Sequence, residues 1–232
     1  FVALVPVLTM RSIAEEKRQK TDQLLYSLPI TTSQVVVGKY LALLVVFFIP
    51  LCIVSLYPLI FAQFGDVYLM TSYGSLLAFF IMGAALIAVG TFISSLTENQ
   101  GFAAGIAIPV ILFNYYSVSL AEHISASAMG SVISLCALAV ILGLVIRFLT
   151  GNEGLAFSVS LLLIIIIGIA GFVDISSFEG LLPKIMNRLS LFERFYSFVN
   201  GVFDFTSIVY FISVIVFFLF LSVQSLEKRR YN

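Results

Sequence analysis

The 232-residue chain is 61% hydrophobic, 10% charged and formally neutral, with a mean hydropathy of +1.13. Soluble domains carry about 25% charged residues, so this composition excludes an ordinary soluble globule and places the chain among integral membrane proteins. The balanced charge argues against a nucleic-acid partner, which favours a basic surface.

The first ten residues, FVALVPVLTM, are apolar up to Arg11. A span needs about 20 residues, so they read as the inner half of a helix. No basic stretch precedes them as in a signal peptide. The next twelve, RSIAEEKRQKTD (11–22), hold seven of the chain's 24 charges (12 cationic plus 12 anionic). Glu15 stands three before Arg18 and Glu16 four before Lys20, spacings that stabilise a helix. Leu24, Leu25 and Leu28 give it an apolar end, and Pro29 is expected to stop it. A helix over about 12–28 is therefore predicted. Thr31 and Gln34 have capping-box spacing, opening a second helix that runs through Lys39 into the membrane.

Six uncharged intervals follow, with spans predicted at about 40–61, 74–96, 101–120, 127–147, 154–173 and 205–225. Runs such as Leu161 to Ile167 do not alternate polar with apolar, which rules against a β-barrel. Pro50 and Pro58 in the first full span, and Pro109 in the third, are expected to bend their helices. Gly83, Ala84, Ala88 and Gly90 form one small-residue face, and Gly101 and Gly105 a GxxxG. Both favour close helix packing, inside the chain or at a dimer seam. Glu98, Asn99 and Gln100 form a tight loop, either a solvated turn or a second contact for a partner. Asn114, Tyr115 and Tyr116 are the most polar intramembrane cluster, suited to an interhelical hydrogen bond or to a substrate pathway. Residues 181–203 repeat apolar side chains at helical spacing (Leu182, Ile185, Leu189, Phe192, Phe195, Val199, Val202). They are read as one amphipathic helix in the outer interface. Cys52 and Cys136 lie in apolar runs and are expected to pack as small hydrophobes, and the single His123 has too few companions for a metal site.

The cations orient the chain. With 11–39 inside and strict alternation, Arg11, Lys17, Arg18, Lys20, Lys39, Arg147, Lys228, Arg229 and Arg230 fall inside. Only Lys184, Arg188 and Arg194 fall outside, the positive-inside pattern. The same alternation places Phe1 towards the outer side, so an upstream span or a cleaved signal is expected before it.

The sequence contains no GxxxxGK[ST], HExxH, GxSxG or CxxC, and so offers no catalytic motif or P-loop of its own. No charge falls inside a span apart from Arg147 at an end, which weakens a proton-coupled carrier but leaves open sodium coupling through backbone carbonyls. A non-transporting anchor or assembly factor, with 11–28 as a docking site alone, also stays open.

Four segments carry a resemblance. They are VPVLTMRSIAEEKRQKTDQLLYSLPIT with VVVGKYLA (2–42), ISSLTENQ (93–100), LSLFERFYSFVNGVFD (189–204) and FLFLSVQSLEKRR (218–230). In this order they resemble the permease subunits of ABC-2 type transporters, nearest to gliding-motility and nitrous-oxide-reductase maturation permeases. Pro6, Thr9-Met10-Arg11, Glu15-Glu16 and Gly38-Lys39 fall where the family pattern has them. The family usually begins with a span and outer loop that do not stand before Phe1 here, and spans 127–147 and 154–173 look like an insertion. The resemblance implies an all-α integral membrane protein. With the spans read above from the charge-free intervals, it would be a polytopic bundle of six full spans plus a partial first one, in a single permease domain (1–232). It further implies a cytoplasmic coupling segment (11–31) and an outer interfacial segment (181–203). In such an exporter two permease chains, identical or related, engage two cytoplasmic ABC ATPase subunits that hold the ATP and Mg. The residues implied for coupling are Glu15, Glu16, Lys17, Arg18, Lys20, Thr21, Asp22, Leu24 and Leu25. The implied setting is the cytoplasmic membrane of a bacterium, with the C-terminus inside.

Overall fold

A computed structural model describes residues 1–21, 30–123, 127–173 and 175–231. Every regular element among them is helical: α1 Leu4–Thr9, α2 Ala14–Gln19, α3 Thr32–Val54, α4 Tyr57–Phe61, α5 Leu69–Leu96, α6 Gln100–His123, α7 Ala128–Thr150, α8 Glu153–Val173, α9 Leu181–Leu189, α10 Leu191–Val199 and α11 Phe205–Tyr231. Among the described residues, five stretches are long and apolar enough to cross a membrane: Thr32–Phe61, Leu69–Leu96, Gln100–His123, Glu153–Phe172 and Phe205–Lys228. The remaining expected span, 127–147, is the 23-residue α7, whose apolar part over Ala128–Leu144 is shorter.

The chain divides into two compact units, Phe1–Tyr115 with Leu191–Asn232, and Tyr116–Ser190. The first is built around α5. In its most apolar stretch 72% of residues are buried, against 11% in Thr32–Phe61 and 17% in Phe205–Lys228. Lipid tails are as apolar as leucine, so helices associate in a bilayer through close packing and not through expulsion of water. The sequence of α5 suits that role, because Gly83, Ala84, Ala85, Ala88 and Gly90 let neighbours approach its backbone. A Cβ at Gly83 would lie 2.4 Å from the Phe47 ring, and one at Gly90 would lie 2.4 Å from Thr9 Oγ1. The first small-residue face therefore works inside the chain. The second differs: Gly101 and Gly105 are exposed, and a Cβ at Gly105 would meet nothing within 4 Å.

Around α5 the rings of Phe1, Phe47, Phe79, Phe80 and Phe195 interlock at centroid distances of 4.5–6.3 Å. Tyr40 donates its hydroxyl proton to the Ala84 carbonyl at 3.1 Å, joining α3 to α5. The first full span is interrupted after Val54. The cause is Pro58, whose ring clashes with the carbonyl four residues back, that of Val54. Pro50 and Pro109 remain inside their helices. Cys52 is exposed on α3 and so does not pack in the core as expected.

In the second unit α7 and α8 form a hairpin. Gly151, at φ 69°, closes α7, and its N–H donates to the Arg147 carbonyl at 2.8 Å. Gly143 lies against Ser160, and Arg147 pairs with Glu153 at 2.5 Å across the turn. A 3-10 turn (Ile175–Phe178) and α9 complete the unit.

Candidate functional site

The charged segment after α1 is held by the C-terminal end of α5. Its helix α2 is six residues long and ends at Lys20, not at Pro29. Lys20 takes the left-handed conformation, φ 58°. Its N–H donates to the Lys17 carbonyl (3.2 Å) and that of Thr21 to the Glu16 carbonyl (3.0 Å), the two bonds of a Schellman C-cap. Glycine is the usual residue there, because a side chain in this conformation is strained. Lys20→Gly is expected to raise stability by about 0.5–1 kcal/mol, read as a higher unfolding temperature in detergent. Asp22, Leu24, Leu25 and the expected stop Pro29 lie outside the described residues.

Three side chains of this segment turn inward. Ile13 (2% exposed), Ala14 (0%) and Lys17 (5%) are buried. α2 carries no cap of its own, and Ser94 of α5 supplies one: its Oγ accepts the N–H groups of Ile13 (3.2 Å) and Ala14 (3.1 Å). One residue further, the Ser95 carbonyl accepts the Lys17 ammonium and also the Ser225 hydroxyl of α11 (3.1 Å). The last carbonyls of a helix lack partners within it, and the negative end of its dipole favours a cation there. Ile13 also packs with Val36 of α3 and Leu226 of α11.

The predicted charge pairs are realised in part. Arg18 bonds Glu15 at 2.8 Å, as the spacing indicated. Glu16 pairs with Lys39 of α3 in place of Lys20, and Lys39 Nζ also donates to the Ser12 carbonyl at 2.7 Å. Glu16 and Lys39 lie 23 residues apart, beyond any pairing by helical spacing, and the early end of α2 turns Lys20 away. Arg11, Arg18, Gln19 and Lys20 are exposed, and the loop bearing exposed Glu98 and Asn99 follows directly from Ser95. The Thr31–Gln34 capping box forms as expected, with bonds of 3.0 and 3.3 Å. Asn99 has a structural task as well: its Oδ1 accepts the Gly101 (2.9 Å) and Phe102 (3.3 Å) N–H groups and caps α6. Gln100 is the first residue of that helix.

The opposite end of the first unit is closed by α10. The predicted single amphipathic helix breaks at Ser190, whose backbone is extended (ψ 122°) and whose N–H closes α9 on the Met186 carbonyl. The apolar stripe of α10 runs through Leu191, Phe192, Phe195 and Phe198, packing into the core around α5. Ser75 near the start of α5 donates to the Phe198 carbonyl at 3.1 Å. Ser75 and Ser95 are 20 residues apart along α5, which separates this end from the charged segment by about 30 Å. Arg194 lies 4.1 Å over the Tyr210 ring. Asp204 caps α11, accepting from Thr206 N–H (2.9 Å) and Ser207 Oγ (2.5 Å). The Ser207 bond holds the Asp204 carboxyl below its usual range.

Asn114 accepts the Leu191 N–H at 3.1 Å, so a side chain of α6 caps α10. Tyr115 meets Phe192 edge-on at 5.1 Å. Tyr116 is exposed. The interhelical hydrogen bond expected of Asn114 is thus present. Asn114→Leu is expected to cost about 1–3 kcal/mol by leaving a buried donor without its acceptor, while Asn114→Asp largely keeps the bond. Thermal unfolding of both variants checks this. Among the described residues no group of His, Cys, Asp and Glu is placed to hold a metal.

A family model described as ABC-2 family transporter protein matches residues 1–121. Comparison with curated proteins and with solved structures finds no match.

Proposed function

The chain belongs to the ABC-2 family of transporter membrane proteins, and from that premise we propose that it is the permease subunit of an exporter driven by a separate cytoplasmic ABC ATPase. The ATPase holds ATP and Mg, and two permease chains, two copies or a related pair, complete the assembly. The setting is the cytoplasmic membrane of a bacterium. Residues 11–31, the 97–100 loop and the C-terminal end of α11 face the cytoplasm.

The observation that carries this reading is the build of the charged segment. It is anchored through Ile13, Ala14 and Lys17, and it leaves Arg11, Arg18, Gln19 and Lys20 exposed, as Glu98 and Asn99 are in the loop that follows α5. A segment fixed on one side and polar on the other suits a partner that grips and pushes it. The cation distribution supports the orientation, because Lys17 of the charged segment and Ser225, three residues before Lys228, meet on the Ser95 carbonyl at one end of α5. Glu15 and Glu16 serve by fixing Arg18 and Lys39, respectively.

The test is recovery of a P-loop ATPase with the tagged chain from native membranes. Arg18→Glu with Lys20→Glu is expected to lower that recovery about tenfold, which corresponds to about 1.4 kcal/mol of lost binding. Undiminished recovery would remove this face from the interface.

A further inference from the structure

Resting on the coupling role just proposed, we infer that Lys17 and Ser95 form a clamp that makes the charged segment, the end of α5 and the end of α11 one moving body. Lys17 is then a positioning residue for transport and not a contact for the ATPase.

Lys17 is unlike the other cations of its segment. Arg11, Arg18 and Lys20 are exposed, but Lys17 is 5% exposed. Burying an ammonium costs several kcal/mol unless it is paired or hydrogen-bonded. A stem of four carbons ending on a backbone carbonyl is a specific arrangement, and an apolar side chain would fill that space at lower cost. The acceptor is specific too. The Ser95 carbonyl lies in the last turn of α5 and accepts from two directions, Lys17 before the first full span and Ser225 near the end of the last. Two residues 208 positions apart therefore meet on one oxygen. The adjacent Ser94 hydroxyl holds the start of α2. The Ile13, Val36 and Leu226 cluster packs the same segment against α11 and against α3. The pair Glu16–Lys39 ties in α3 separately.

A push on Arg18 or Lys20 is therefore delivered at the base of α2 to the end of α5, and through the shared carbonyl to α11. α11 is the helix with the broadest contact to α5 in this unit, so motion at 11–20 reaches both together. Without the Lys17 ammonium, α2 keeps Ser94, the Glu16–Lys39 pair and the Ile13 cluster but loses its hydrogen bond to the carbonyl it shares with α11, which loosens the body.

Spin labels at Gln19→Cys and Phe220→Cys, in a chain carrying Cys52→Ser and Cys136→Ala, read the clamp directly. The full chain in lipid nanodiscs, without any ATPase, is expected to give one narrow distance distribution. Lys17→Met is expected to broaden it, Lys17→Arg to restore it, and Ser225→Ala to give an intermediate width. These variants are also compared by thermal unfolding, because a merely structural role would lower stability while leaving the width of the distribution in the folded chain unchanged. With the ATPase bound and ATP trapped, the wild-type distribution is expected to stay narrow, while Lys17→Met keeps the partner but loses the nucleotide-driven shift at residue 220. A Lys17→Met distribution as narrow as wild type, in a folded chain, overturns the clamp. The nanodisc arm uses no partner, so its outcome stands apart from whether the proposed ATPase is found.

Discussion

Gly90→Val is expected to prevent accumulation of folded protein in the membrane. A Cβ at this position would lie 2.4 Å from Thr9 Oγ1 and 2.9 Å from both Thr9 Cβ and Cγ2. Thr9 is 1% exposed, and its hydroxyl is engaged with the Val5 carbonyl at 2.9 Å, so it has no room to swing aside. Overpacking of this kind costs about 1–3 kcal/mol for a methyl and more for a branched side chain. The consequence is more than local, since Thr9 sits two residues before the charged segment. Pushing α1 away from α5 shifts Ile13 and Lys17 off Ser94 and Ser95. Gly90→Ala is expected to fold with a lowered unfolding temperature. Adding Thr9→Ala removes two of the three contacts and is expected to recover part of the loss. Gly105→Ala, where nothing lies within 4 Å, is expected to stay within about 0.5 kcal/mol of wild type. Equal effects at Gly90 and Gly105 would contradict the packing described.

Ser94→Ala is expected to have the next largest effect. It leaves the N–H groups of Ile13 and Ala14 without their acceptor, both in buried residues. Each orphaned buried donor costs about 1–3 kcal/mol, so a loss of about 2–4 kcal/mol is expected after relaxation. Ser94→Thr keeps the oxygen and is expected to retain most of the stability. Hydrogen exchange at Ile13 and Ala14 gives the local reading: both amides exchange faster in the alanine variant, while the centre of α5 is unaffected.

The spans were readable because the chain is nearly uncharged between them. Charge positions alone bracket α5, α6, α8 and α11 closely. The Thr31–Gln34 box was readable because both bonds are local, as was Glu15 with Arg18. What the sequence hid depends on contacts between distant residues. The spacing rule pairs Glu16 with Lys20, yet Lys39 takes Glu16, because Lys20 in the left-handed conformation points elsewhere. The end of α2 was hidden since a lysine occupies a position where glycine is the usual signal. The break at Ser190 was masked by apolar spacing that continues across it, although a serine ahead of an apolar helical run is itself a capping signal. The clamp at Ser95 left no trace in the sequence at all, since its acceptor is a backbone carbonyl. Asn114 was marked correctly as polar in an apolar setting, but its partner, a backbone N–H 77 residues away, carries no sequence signature.

The central claim is that the exposed face of residues 11–21 meets an ATPase. The most direct measurement places a photo-crosslinking amino acid at Gln19 and, in a separate chain, at Phe64. Phe64 is 83% exposed and stands in the turn ahead of α5, far from the Ser94 end. After illumination in native membranes, the crosslinked species are identified by mass spectrometry. The account predicts a P-loop ATPase crosslinked at Gln19 and none at Phe64. A Gln19 chain that crosslinks no ATPase, or an ATPase captured equally from both positions, would contradict it.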